Sequence, residues 1–126
     1  MTASRKYRPL TQNIITWDKI EKYYFDQISS GINRGNILAL ISYIQNNDIG
    51  KRVFGYTSFL GERLIVTIYN PVEWRRESLF IQYNIHTERW CFEYYPKPYD
   101  ASEMTRYCDN DELLNRFCKY IEWLKW

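Results

Sequence analysis

Leu79-Phe80-Ile81-Gln82-Tyr83-Asn84-Ile85-His86-Thr87-Glu88-Arg89-Trp90-Cys91-Phe92-Glu93-Tyr94-Tyr95 decides the fold. Leu79, Ile81 and Tyr83 alternate with Phe80, Gln82 and Asn84. Trp90, Phe92 and Tyr94 alternate with Cys91, Glu93 and Tyr95. Period-2 alternation of large apolar residues is the mark of a strand with one buried face. Ile85 to Glu88 is short enough to be a hairpin turn, so residues 78–84 and 89–95 are predicted to pair antiparallel.

Upstream, Leu64, Val66 and Ile68 oppose Ile65, Thr67 and Tyr69, predicting a strand over 63–70 that ends at Asn70-Pro71. Residues 53–59 read as a further strand, with Leu60-Gly61 as the tight turn between the two. Pro96 and Pro98 stop the ladder after the fourth strand, and residues 99–108 read as an irregular acidic segment. Short connections between successive strands favour a four-stranded antiparallel meander.

Helical spacing brackets the strands. Trp17, Ile20, Tyr24 and Ile28 form one stripe, with Thr16 as a candidate cap, and Ser29-Ser30-Gly31 break it. Ile37, Leu38, Leu40, Ile41 and Ile44 form a second, stopped by Asn46-Asn47-Asp48 and Gly50. Gly31 and Gly35 mark either a junction between two helices or the kink of one bent helix. Asp109 is placed to cap a last helix, with Glu112 in the capping-box position. Leu113, Leu114, Phe117, Tyr120, Ile121 and Leu124 supply its apolar face. The expectation is a single two-layer α+β domain over residues 1–126, with 1–15 a loosely packed basic arm.

Composition narrows function. The chain has 126 residues, 45% of them hydrophobic, enough for one real core and too few residues for a large multidomain enzyme. No apolar run is long enough to span a bilayer. The basic N-terminus lacks the apolar stretch of a secretory signal, so a cytoplasmic location is expected. Cys91, Cys108 and Cys118 are widely spaced and read as reduced thiols, at least one of them buried. With one histidine and no CxxC pair, no metal or cofactor is expected. Asp109-Asn110-Asp111-Glu112 is explained by capping and by the helix dipole. Glu73 and Glu77 could pair as carboxylates, but nothing in their connector predicts raised pKa values.

His86 is the natural general acid or base, yet its predicted place at a hairpin tip favours a surface role over a catalytic one. Arg5, Lys6 and Arg8, together with Lys51-Arg52 and Arg75-Arg76, admit a small nucleic-acid-binding module with rings as stacking platforms. The net charge of +2 is low for a groove that tracks phosphates. Charge is segregated instead: residues 1–99 carry 13 basic and 9 acidic groups, residues 100–126 carry 4 and 6. Twelve tyrosines and five tryptophans exceed what a core of this size needs, and such rings are enriched at protein interfaces. Trp74, Tyr95 and Tyr99 are the candidate partner-binding anchors. Arg75, Arg76, Asp100 and Glu103 are the candidate steering charges.

The stretch LFIQYNIHTERWCFEYYPKP, residues 79–98, followed by a helix ending IEWLKW, resembles small bacterial immunity proteins of contact-dependent growth inhibition and related polymorphic toxin systems. That resemblance implies a non-enzymatic inhibitor that neutralises a cognate toxin domain as a 1:1 complex in the cytoplasm. It transfers no residue role position by position. Such proteins often present carboxylates to a basic nuclease cleft; the net positive charge here departs from that pattern.

Overall fold

The computed structural model describes residues 16–69, 77–97 and 101–126. In chain order come α1 (Trp17–Ser29), α2 (Ile37–Asn46), a single-turn α3 (Ile49–Arg52), β1 (Phe54–Thr57), β2 (Arg63–Thr67), β3 (Ser78–Asn84), β4 (Arg89–Tyr95), β5 (Met104–Asp109) and α4 (Leu113–Leu124). Short 3-10 turns at Phe59–Gly61 and Asn110–Glu112 link β1 to β2 and β5 to α4. The five strands form one antiparallel meander in sequence order.

The helices pack on one sheet face, giving the expected two layers. Ile20 and Tyr24 of α1, Leu40, Ile41 and Ile44 of α2, and Phe117, Tyr120 and Ile121 of α4 form one core with Leu64, Val66, Leu79, Ile81, Trp90 and Phe92 of the sheet. Burial alternates along β4 as the sequence pattern requires. No helix among the described residues is long and apolar enough to cross a membrane.

The sheet has five strands, not four. The edge strand β5 beside β4, residues 104–109, takes up the second half of the segment 99–108 that was expected to be irregular, together with Asp109. Met104 and Cys108 of β5 are buried, but Arg106 stands exposed between them on the same side. A charge in the middle of an apolar register is a device of edge strands, and it hides the strand from a pattern reading. Other differences are local. β1 and β2 are shorter than the expected 53–59 and 63–70. α3 forms where only a turn was expected. Thr16 occupies the N-cap position of α1, but its hydroxyl donates to the Asp18 carboxylate rather than accepting a backbone N–H.

α1 and α2 are separate helices. Gly31 at φ +101° closes α1 with a Schellman motif: its N–H donates to Ile28 O at 3.0 Å, and Ile32 N–H to Gln27 O at 3.0 Å. Asp109 and Glu112 form the anticipated capping box ahead of α4. The Asp109 N–H donates to Glu112 Oε1 at 3.4 Å and Arg116 Nη2 to Oε2 at 3.3 Å. These bonds, the backbone one foremost, hold the Glu112 carboxyl below its ordinary value. A carboxyl lowered in the folded state contributes stability above its unfolded pKa and loses it as pH falls through the folded value. Glu112→Gln keeps a capping acceptor and removes the charge. Its melting temperature is expected to fall below wild type at neutral pH, and the two proteins to converge as the pH falls below the ordinary glutamate value of about 4.3. Paired thermal melts across that range check it; a gap independent of pH counts against the charge.

Candidate functional site: the open sheet face and the trough at its end

The sheet face turned away from the described helices carries, across β2 to β5, the row Arg63, Gln82, Cys91, Tyr107 and, next to it, Ile65, Phe80, Glu93, Thr105. Its polar groups are largely engaged with one another. Arg63 lies over the Phe80 ring at 5.6 Å and donates through Nε to Gln82 Oε1 at 3.2 Å. The Tyr95 ring packs on Phe80 with centroids 4.9 Å apart, and its hydroxyl donates to Glu93 Oε2 at 3.2 Å. Burial, with the Glu93 carboxylate beside it, pushes the Tyr95 phenol up. The Tyr107 phenol stands beside the Cys91 thiol and is pushed up by it, and the titration of Cys91 is itself pushed up by burial. Tyr107 nevertheless stays 58% exposed on the edge strand.

A trough runs across one end of this sheet. β3 and β4 project beyond β2, because β2 starts at Arg63 opposite Gln82 while β3 continues to Asn84 opposite Arg89. The Phe59–Gly61 turn and the α1–α2 loop stand on the other side of the notch. The resulting space is about 790 Å³ and is lined by Arg34, Glu62, Gln82, His86, Arg89 and Tyr107 among others. The hairpin beside it is shaped by Asn84, whose Oδ1 accepts from the N–H groups of His86 at 2.8 Å and Thr87 at 3.2 Å. Glu88 completes the turn with φ +56°. His86 is exposed at the hairpin tip, where the sequence placed it.

At the opposite end, Glu77 joins two strands through tyrosines. Its carboxylate accepts from the Tyr94 hydroxyl and from the Tyr69 hydroxyl, the latter at 3.2 Å, and its carbonyl accepts from Thr67 Oγ1 at 3.0 Å. Tyr94 meets Trp123 and Trp126 of the C-terminal segment edge-on, at 5.9 and 6.3 Å. Burial, followed by the Glu77 contact, raises the Tyr94 phenol. Glu77, considered in the sequence only as a paired carboxylate, is thus a structural acceptor.

Of the sequence-predicted anchors and charges, Trp74, Arg75, Arg76, Tyr99 and Asp100 lie outside the described residues, as do Glu73 and the arm 1–15. Tyr95 is half-buried on the open face, and Glu103 is exposed just before β5, its N–H donating to Tyr94 O at 2.8 Å. Sequence reading missed Tyr107, Phe80 and Arg34. Alternation of Thr105 and Tyr107 against Met104 and Cys108 was the available signal for the first; nothing local marks Arg34. Cys108 is buried, with its thiol pushed up to about 11 by desolvation, and acts as a small apolar core residue. Among the described residues no group of three or more His, Cys, Asp or Glu side chains is placed to hold a metal ion. Compared with protein-family models, curated proteins and solved structures, the chain matches none of them.

Proposed function

We propose that this chain is an immunity-type protein that neutralises the toxic domain of a cognate toxin by forming a tight 1:1 complex in the cytoplasm. The observation that carries the reading is the asymmetry of the sheet. The described helices cover one face, while the other carries an exposed Tyr107 and half-buried Phe80 and Tyr95 among balanced charges such as Arg63 and Glu93, with Ile65 and Thr67 of that face buried. Rigid rings bury large area at small entropic cost, and balanced charge suits a protein surface better than a polyphosphate.

The test is co-expression with a toxin domain encoded beside this gene, scored by growth and by isolation of a 1:1 complex. Tyr107→Ala is expected to weaken the complex by roughly 30-fold, the loss typical of a central anchor, with little change in melting because the ring is exposed. Phe80→Ala and Tyr95→Ala are measured alongside it, each with its own melting curve. Full growth protection with all three variants at wild-type affinity would remove this face from the account. Failure to protect or to form a complex would remove the reading itself. Binding of single-stranded nucleic acid with a steep salt dependence would put a nucleic-acid module in its place.

A further inference from the structure

Arg34 is an arginine with an unspent charge. It lies in the α1–α2 loop between two glycines of positive φ, Gly31 and Gly35. Its Nε donates to Gln27 Oε1 at 2.9 Å and its Nη2 to the Leu60 carbonyl at 2.7 Å. Both acceptors are neutral, and together they fix the plane of the guanidinium. A guanidinium has five N–H donors, so most of its donor capacity is left over. Among the described residues no carboxylate pairs with it, whereas Arg89 is engaged by Asp109 at 3.2 Å and Arg116 by Glu112 at 3.3 Å. A half-buried cation is ordinarily matched by an anion. Here the matched element is missing, and the side chain faces the trough.

The trough has the dimensions of a small-ligand site, which falls at roughly 300–1,000 Å³. Its lining carries Arg34, Arg89, which is already paired with Asp109, and one carboxylate, Glu62, and adds His86 and the amides of Gln82 and Asn84 as neutral donors and acceptors. Two non-glycine residues hold left-handed backbone on its two sides: Leu60 at φ +67°, whose carbonyl fixes Arg34, and Glu88 at φ +56° in the hairpin. Such conformations persist only where the surroundings enforce them. At the far side of the sheet end, about three strand spacings or ~14 Å from β2, the exposed Tyr107 ring offers a flat apolar surface.

We propose that this trough is a binding site for a small ligand bearing an oxyanion, phosphate or carboxylate, which seats on the free N–H groups of Arg34. A planar guanidinium held rigid by neutral acceptors is preorganised for a two-oxygen contact. His86 and Arg89 add donors along the wall, and Glu62, which lines the trough with Arg34, disfavours ligands of high charge density. The site shares Tyr107 with the proposed toxin-binding face but does not rest on that reading: its oxyanion seat is Arg34 at the sheet end, and its test needs no protein partner.

The experiment titrates isotope-labelled protein with inorganic phosphate, acetate, AMP and adenosine, each at up to about 10 mM with ionic strength matched by sodium chloride. It follows the Arg34 side-chain Nε–H and the backbone amides by NMR. Saturable shifts are expected at Arg34, at residues 60–62 and at residues 82–89 with phosphate or acetate. The better of those two identifies the oxyanion. AMP binding more tightly than phosphate, with the gain lost in Tyr107→Ala, would show that the oxyanion is carried by a ring-bearing ligand. Arg34→Lys, which keeps the charge and loses the fork, is expected to weaken binding by roughly tenfold or more, as for lost charge-assisted hydrogen bonds. The wild-type shift map guards against a variant that merely loosens the loop. The proposal is overturned if none of the three anions shifts these signals beyond the chloride control. It is equally overturned if adenosine binds as well as AMP while phosphate and acetate do not, or if a folded Arg34→Lys protein binds as wild type does.

Discussion

Replacing Trp90 by alanine is expected to cost about 3–5 kcal/mol of folding stability, the range for removing a large aromatic from a well-packed core. Trp90 is 2% exposed near the start of β4, and its ring packs on Tyr83 with centroids 4.9 Å apart. Its Nε1 donates to Asn110 Oδ1 at 2.9 Å. The same oxygen accepts from the Asn36 N–H at 2.9 Å, and the Asn110 carbonyl accepts from Asn36 Nδ2 at 3.1 Å. Trp90 therefore links the sheet, the α1–α2 loop and the turn that starts α4. Alanine leaves a void and takes one donor from Asn110. Trp90→Phe keeps much of the ring and loses only the donor, so it is expected to cost clearly less. Urea unfolding of both variants checks this. Domains of this kind hold ~5–15 kcal/mol in all, so the alanine variant should sit near its unfolding threshold. A cost below about 1 kcal/mol for Trp90→Ala would mean that the void collapses and that the three-way link carries little.

The strands that were easiest to read are those whose two faces differ most. β3 and β4 match residues 78–84 and 89–95 to the residue because Leu79, Ile81, Trp90 and Phe92 are large, apolar and in strict alternation. β5 was illegible for the converse reason. Only Met104 and Cys108 point to core, and Arg106 interrupts them as the edge position favours. The capping box at Asp109 was legible because its chemistry is local, confined to residues three apart. Arg34 was not, because its meaning comes from Leu60, 26 residues away in sequence, and from a turn whose left-handed leucine no propensity suggests. Tyr95 lies between these cases. Its alternation with Tyr94 put it on the outer face, but its contact with Phe80 required the register of β3 against β4.

Gly50→Ala is expected to destabilise the fold by about 3 kcal/mol, at the upper end of the range for forcing an atom into a packed site. A Cβ built on Gly50 would stand 2.2 Å from the Ile44 carbonyl oxygen, a backbone atom in the last turn of α2. No rotamer change relieves that contact; α3 would have to move away from α2. Ile49 and Val53 oppose such movement, since the first residue of α3 and the residue that follows it are both buried and would be drawn out of the core. Gly50 therefore does more than stop a helix, as its place after Asn46-Asn47-Asp48 suggested: it lets one helix end abut the next. Gly31→Ala separates contact from conformation. Gly31 has φ +101° and nothing within 4 Å of a built Cβ, so alanine there meets only torsional strain, about 1 kcal/mol. Thermal or urea melts of the two variants should rank Gly50→Ala well below Gly31→Ala. The opposite order would mean that α3 yields freely, and that the α2–α3 junction is not a fixed part of the helical layer.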